Sequence, residues 1–154
     1  MTITTVALIG AGNMGSRMAR CIKRAGFDLT VCDQDLAVLE EFKKEGVSVT
    51  QQPRDCALAD AIIVLVANDE QIISVTCGAT GFIEAIPPEH QPLICIMSTT
   101  LPSTLKQIAA RLKTTQAHLI DAPVSGGLVK AAHGTLTIMM SGDDHDLNLS
   151  LIHI

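Results

Sequence analysis

The chain has 154 residues, of which 47% are hydrophobic and only 18% charged, with three Phe and neither Trp nor Tyr. That is enough chain for one ordinary domain with a buried aliphatic core, and it is too apolar for a disordered or coiled-coil protein. A net charge of −5, without a basic run or aromatic stacking platforms, argues against a nucleic-acid partner.

In chain order, the apolar run Val6–Ile9 precedes a helical stretch in which Met14, Met18, Cys21, Ile22 and Ala25 share one face. Gly26 supplies a stop. The run Leu29–Cys32 precedes a helix over Asp35–Glu45, and Ala61–Val66 precedes one over Glu70–Cys77. Gly78–Gly81 and Pro87-Pro88 read as loop punctuation. The run Leu93–Met97 leads to a helix over Pro102–Lys113, for which Thr100 followed by Pro102 suits the start. His118–Ile120 and Leu136–Met140 are the last two runs. Short, continuous apolar runs predict strands buried on both faces, as in a parallel sheet. Their alternation with helices through short links predicts a right-handed, doubly wound α/β sheet. There is no internal repeat and no low-complexity linker.

No apolar stretch reaches membrane-spanning length, so no membrane partner is expected. The N-terminus enters the strand pattern Thr5–Ile9 without the basic start and small-residue cleavage site of a signal peptide. Cys21, Cys32, Cys56, Cys77 and Cys95 are widely spaced and odd in number, with no CxxC pair. They read as reduced, mostly buried thiols in a cytoplasmic protein. The five histidines are scattered, and no metal site is expected.

Gly10-Ala11-Gly12-Asn13-Met14-Gly15 matches G-x-G-x-x-G directly after a predicted strand and at the start of a predicted helix. In that setting Gly10 permits a tight turn, Gly12 lets backbone approach a pyrophosphate, and Gly15 lets helix and strand pack closely. The helix N-terminus then offers N–H groups to the phosphates. A glycine-rich turn without a ligand has the same pattern. Asp33 ends the second run, 18 residues past Gly15. An acid near this offset accepts hydrogen bonds from ribose hydroxyls and repels a 2′-phosphate. No Arg follows closely, which favours NAD over NADP while leaving NADP open. Asp33 or Asp35 would alternatively cap the next helix, and Asp35 suits that role better.

Asp121-Ala122-Pro123-Val124-Ser125-Gly126-Gly127 follows a predicted strand. A serine hydroxyl flanked by glycines with exposed N–H groups can bind a carboxylate through several hydrogen bonds. A tight structural loop with an incidental serine is the plain alternative. With Gly10–Gly15, this motif resembles the β-hydroxyacid dehydrogenases, the family of 3-hydroxyisobutyrate dehydrogenase. The family's G-x-G-N-M-G start and D-A-P-V-S-G-G motif match at each position. Ser98-Thr99 resembles its S-T segment, and Gly134–Met139 resembles the strand that closes its first domain. The resemblance covers about residues 5–148.

The resemblance implies a Rossmann-type domain that binds a nicotinamide dinucleotide through Gly10, Gly12, Asn13, Met14, Gly15, Asp33, Val66, Ala67 and Thr99. It implies a small hydroxy-acid substrate held by Ser125, Gly126 and Gly127, with Thr99 near substrate and nicotinamide. Many members carry a Leu-Pro pair where Val66-Ala67-Asn68-Asp69 stands here. The segment Val129-Lys130-Ala131-Ala132 resembles the branch that oxidises L-threonate and related sugar acids. Lys130 itself is expected on an exposed helix face, away from catalysis. The family's general base is a lysine in a G-x-x-x-K-x-x-N pattern of a second, all-helical domain, which also makes most homo-oligomer contacts. No such pattern occurs in this sequence. The expected reading is therefore the cofactor-binding portion of a dehydrogenase, without a catalytic residue of its own. The alternatives are a non-catalytic dinucleotide-binding module and a relative of 6-phosphogluconate dehydrogenase or imine reductase. Finally, Leu149-Ser150-Leu151-Ile152-His153-Ile154 is what the sequencing-adapter string CTG TCT CTT ATA CAC ATC encodes. That places the expected domain at residues 1–148 and an artefactual tail at 149–154.

Overall fold

The computed structural model describes residues 2–144 and 146–148; the tail at 149–154 lies outside them. Six strands form one sheet: β1 (Thr5–Ile9), β2 (Asp28–Cys32), β3 (Ser48–Thr50), β4 (Ala61–Val64), β5 (Leu93–Ile96) and β6 (His118–Asp121). Their order is β3-β2-β1-β4-β5-β6, and every neighbouring pair is parallel. The chain leaves β1 toward one edge and β4 toward the other. This opens a crevice at the carboxyl ends of β1 and β4, the topological switch point.

Alternate strand residues serve opposite faces, because side chains in a strand have a period of two. Val6, Leu8, Val31, Ile63 and Cys95 face a core shared with Met18, Ala19, Leu39 and Phe42. Ala7, Ile9, Ile62, Val64, Ile94 and Ile96 face the other core with Ile72, Ile108 and Leu112. The first core packs α1 (Gly15–Arg24) and α2 (Leu36–Lys44); the second packs α3 (Asp69–Cys77) and α4 (Pro102–Leu112). Burial on both faces explains why these runs carry no polar alternation.

Local chemistry sets the helix limits. Gly26, at φ 92°, follows the Ala25 C-cap of α1. The Asp35 carboxylate caps α2 by accepting from the Ala37 N–H at 2.9 Å. Thr100 does not cap α4: the N-cap is Leu101, and the Thr100 hydroxyl donates to Asp69 instead. Pro102 does occupy the first turn, where its missing N–H removes a donor that needs no partner.

Three expectations change. The run at Ala61–Val66 ends as a strand at Val64: the Leu65 N–H still donates to the Ile9 carbonyl at 2.9 Å, but Val66 bonds to the Ser98 side chain in place of a neighbouring strand. The run Leu136–Met140 is not a strand of the parallel sheet. Only its centre, β8 (Thr137–Ile138), is extended, pairing antiparallel with β7 (Val124–Ser125) in a separate ribbon. Its side chains are half-buried or exposed, Met139 by 56%, and Leu136, Ile138 and Met140 pack only against the margin of the first core. Conversely, β3 was not visible in the sequence: it is three residues long and mostly polar, and only pairing with β2 defines it. Between β7 and β8 lies α5 (Gly127–His133), on which Lys130 is exposed as expected. No described helix is long and apolar enough to cross a membrane.

Candidate functional site

The glycine turn connects β1 to α1 at the switch point. Gly10 sits at φ 99°, and a Cβ there would lie 2.2 Å from the Leu65 carbonyl oxygen. A Cβ on Gly15 would lie 2.0 Å from the Gly10 carbonyl oxygen. Both residues are therefore glycine for steric reasons internal to the fold. Gly12 differs: a Cβ there would meet nothing within 4 Å. Its side-chain position opens onto space beside the α1 N-terminus. Met14, half-buried, is the N-cap, no side chain caps the helix, and no acidic residue stands in its first turn. Asn13 is exposed, and its carbonyl accepts from Arg17 Nη1 at 2.5 Å. An uncapped N-terminus with unobstructed backbone beside it suits an anionic group. These residues fit a dinucleotide pyrophosphate.

Asp33 stands just past β2, half-buried. Its Oδ2 accepts from the Ala11 N–H at 2.6 Å, and its Oδ1 accepts from the Asp35 N–H at 2.9 Å. The carboxylate thus ties the turn to the start of α2. A carboxylate oxygen can accept more than one hydrogen bond, so the tie is compatible with accepting from a ribose hydroxyl as well. The Ala11 contact was not anticipated, because nothing local in the sequence marks a hydrogen bond across 22 residues.

Beyond β4, Val66 is half-buried and Ala67 exposed. Ser98, only 4% exposed, grips this segment: its Oγ accepts from the Val66 N–H and donates to the Val66 carbonyl, both at 2.8 Å. Thr99 follows at the carboxyl end of β5 and is exposed. Sequence reasoning noticed Ser98-Thr99 as a pair but assigned Ser98 no role.

The second motif is anchored at its start and open at its end. Asp121 and Ser141 exchange backbone hydrogen bonds at 2.9 and 2.8 Å, and the Ala122 N–H donates to the Ile96 carbonyl at 2.8 Å. Burial pushes the Asp121 carboxyl up from its ordinary range. Met139 N–H donates to the Pro123 carbonyl at 3.0 Å. Ser125 pairs with Thr137 across the ribbon, yet Ser125, Gly126 and Gly127 are all exposed. Gly126, at φ 138°, lets the chain turn directly from β7 into α5, a conformation that residues with a Cβ rarely adopt. The glycine turn, Asp33, Val66-Ala67, Thr99 and the second motif all emerge from the same, carboxyl edge of the sheet. A cavity of about 510 Å³ lies elsewhere, on the sheet face beneath α1 and α5, among Val6, Met18, Ile63, Cys95, Met97 and Leu136. It is mostly apolar, with Arg24 and His133 also in its lining, and contains none of the predicted site residues.

Residues 5–150 match the family described as the NAD-binding domain of 6-phosphogluconate dehydrogenase. The chain is 36% identical over 144 residues to mitochondrial 3-hydroxyisobutyrate dehydrogenase of Rattus norvegicus, covering 93% of this chain and 42% of that protein. It is 34% identical over 138 residues to L-threonate dehydrogenase of Cupriavidus necator, covering 89% of this chain and 46% of the relative. The crystal structure of 3-hydroxyisobutyrate dehydrogenase from Salmonella typhimurium superposes with a TM-score of 0.85 at 30% identity, over 97% of this chain and 53% of that one. The chain thus spans about half the length of these relatives.

Proposed function

The chain belongs to the family of NAD-binding domains of 6-phosphogluconate dehydrogenase, and from that we propose that it forms the cofactor-binding half of a dehydrogenase acting on a small hydroxy acid. The observation that carries this reading is the open flank of Gly12 beside an uncapped α1 N-terminus, at the sheet edge that also bears Ser125-Gly126-Gly127. When bound, the nicotinamide supplies a hydride acceptor for oxidation of the substrate hydroxyl. The chain's own residues bind and orient. Gly10 sets the turn, its own N–H donating to the Cys32 carbonyl, and Gly12, Asn13, Met14 and Gly15 cradle the pyrophosphate with backbone N–H groups. Asp33 accepts from the adenosine ribose, and its negative charge favours NAD over NADP. Val66, Ala67 and Thr99 border the nicotinamide end. Ser125, with the N–H groups of Gly126 and Gly127, holds the substrate carboxylate or hydroxyl. The family resemblance assigns proton removal from the hydroxyl to a lysine outside these 154 residues. Such a base must reach hydrogen-bond distance of the hydroxyl. The relatives named for 3-hydroxyisobutyrate and L-threonate support a hydroxy acid as substrate class.

The test is a residue-resolved NMR titration of the chain with NADH, and in parallel with ADP-ribose and NADPH. Because surface that a further domain would cover is open here, binding is expected to be weak. Shifts are expected at Gly12, Gly15 and Asp33 with NADH and ADP-ribose, at Thr99 and Val66 with NADH only, and smaller shifts with NADPH. Absence of any shift at the glycine turn at millimolar NADH would refute the reading. Steady-state oxidation of a hydroxy acid by the 154-residue chain alone would refute the assignment of the base to another domain.

A further inference from the structure

Between β4 and α3, and again between β5 and α4, the chain crosses the carboxyl edge in loops that hold no metal-like cluster and no glycine. What stiffens them is a set of side-chain hydrogen bonds converging on Asp69. One carboxylate oxygen, Oδ1, accepts from the Thr100 hydroxyl at 2.5 Å, the Thr104 hydroxyl at 2.5 Å and the Leu101 N–H at 3.0 Å. These donors lie 31 to 35 residues away, in the other loop and in the first turn of α4. Around them, Gln71 Oε1 accepts from the Ala67 N–H at 2.9 Å, and Asn68 Oδ1 accepts from the Gln71 N–H at 2.9 Å. Ser98 holds both backbone groups of Val66. The two loops are thus joined at two points: Ser98 to Val66 on one side of Thr99, and Asp69 to Thr100 and Leu101 on the other. Thr99 itself is the exposed residue between the joints.

We propose that Asp69 is a positioning residue for the nicotinamide end of the site, fixing the backbone of Thr99 against Val66-Ala67 without touching the cofactor itself; this rests on the function proposed above. The Thr100 hydroxyl first, then the Thr104 hydroxyl and the Leu101 N–H, hold the Asp69 carboxyl below the usual carboxylate range. It is therefore ionised at neutral pH, and hydrogen bonds to an ionised acceptor are the stronger kind. Asp69 lies at the start of α3, so its charge also suits the helix dipole. A helix-terminal acid serving only its own helix would not need to reach three donors on a neighbouring element. Gly12 and Asp33 follow β1 and β2, on the opposite side of β4 from β5, and their hydrogen bonds do not include Asp69 or its three donors.

The experiment uses the whole chain and three proteins: wild type, Asp69→Ala and Asp69→Asn. Asn retains an acceptor oxygen in nearly the same place. Each is titrated with NADH and with ADP-ribose, which lacks the nicotinamide, and amide exchange of Leu101 and Val66 is followed by NMR. In Asp69→Ala, Leu101 exchange is expected to accelerate about tenfold or more, the level of a lost hydrogen bond. NADH shifts at Thr99 and Val66 should be lost, while ADP-ribose binding at Gly12 and Asp33 stays within about twofold of wild type. Asp69→Asn should recover most of the Thr99 response. If Asp69→Ala lowers NADH and ADP-ribose binding equally, Asp69 only stabilises the domain and the proposal is overturned. If NADH shifts at Thr99 persist unchanged in Asp69→Ala, it is overturned as well. A wild-type chain that binds ADP-ribose but shows no nicotinamide-dependent shift at Thr99 overturns the positioning role alone. A wild type that binds neither ligand overturns the proposed function and this role with it.

Discussion

Replacing Gly12 by Ala separates what the glycine turn does for the fold from what it does for a ligand. A Cβ at Gly12 meets no atom within 4 Å, and Gly12 is not among the positive-φ glycines. The folded state therefore accepts the methyl group, while the unfolded chain loses freedom. Such a substitution stabilises by about 0.4–1 kcal/mol. For a chain of this size that corresponds to roughly 1–4 °C in Tm, at about 2–4 °C per kcal/mol. Gly15→Ala is the internal control, because its Cβ would sit 2.0 Å from the Gly10 carbonyl oxygen. The neighbour is backbone, and Gly10 is itself wedged against Leu65, so neither side yields easily. Overpacking of this kind costs about 1–3 kcal/mol or more. The assay pairs thermal denaturation with ADP-ribose titration. Gly12→Ala should melt at or above wild type yet bind ADP-ribose at least about tenfold more weakly, a loss of about 1.4 kcal/mol. A Gly12→Ala chain that binds as well as wild type would refute the placing of the pyrophosphate on that flank. One that melts as early as Gly15→Ala would refute the steric reasoning.

Three further outcomes are expected. Asp60 Oδ2 accepts from the Thr5 N–H at 2.8 Å, the Thr4 N–H at 2.9 Å and the Thr4 hydroxyl at 3.0 Å. Burial works to raise the Asp60 carboxyl, but these hydrogen bonds outweigh it and hold the group below its ordinary value. A depressed carboxyl stabilises the fold above its unfolded pKa of about 3.9 and loses that contribution as pH falls through the lower folded value. Asp60→Asn should therefore lower Tm at pH 7 and flatten the acid limb of a Tm-against-pH curve; an unchanged acid limb would contradict this. Ser98→Ala leaves the Val66 N–H and carbonyl without their partner, which costs about 1–3 kcal/mol; a Tm within 1 °C of wild type, read against about 2–4 °C per kcal/mol, would show the grip to be dispensable. Burial pushes the Cys95 thiol up to about 12, and a hydrogen bond with Cys32, with burial, pushes Cys56 up too. Native-state alkylation at pH 8 read by mass spectrometry should spare Cys95 and Cys56 and reach them only on unfolding; labelling of Cys95 at the rate of Cys21 would refute this.

Much of the domain was legible before any coordinates. Strands buried on both faces must be apolar throughout, so five of the six parallel strands declared themselves as short runs. Gly15 is required by the Gly10 carbonyl and Gly10 by its own φ of 99°, both inside one strand–turn–helix unit, so a local pattern could carry them, although the Leu65 carbonyl that also excludes a Cβ at Gly10 comes from the end of β4. The Asp35 cap is likewise a two-residue affair. The exception among the strands is instructive. β3 has no apolar run to announce it and exists because β2 offers an open edge to pair with. The run Leu136–Met140 misled in the opposite sense: its apolar residues line an exposed ribbon and a partly covered sheet face instead of the parallel sheet.

Composition and local pattern thus determined a doubly wound parallel sheet, the glycine turn at its first switch, and a second glycine motif after its last strand. Tertiary structure alone decided how the edge is held together. Asp33 to Ala11, Ser98 to Val66, and Asp69 to Thr100, Leu101 and Thr104 each join residues 22 to 35 positions apart. A hydroxyl or carboxylate has the same composition whichever partner it finds. Periodicity reports which face a side chain takes, whereas these bonds depend on which two loops the strand order sets side by side. In the order β3-β2-β1-β4-β5-β6, β1 lies between β2 and β4, and β4 lies next to β5. That adjacency, and not any local pattern, sets these four loops side by side at one edge of the sheet.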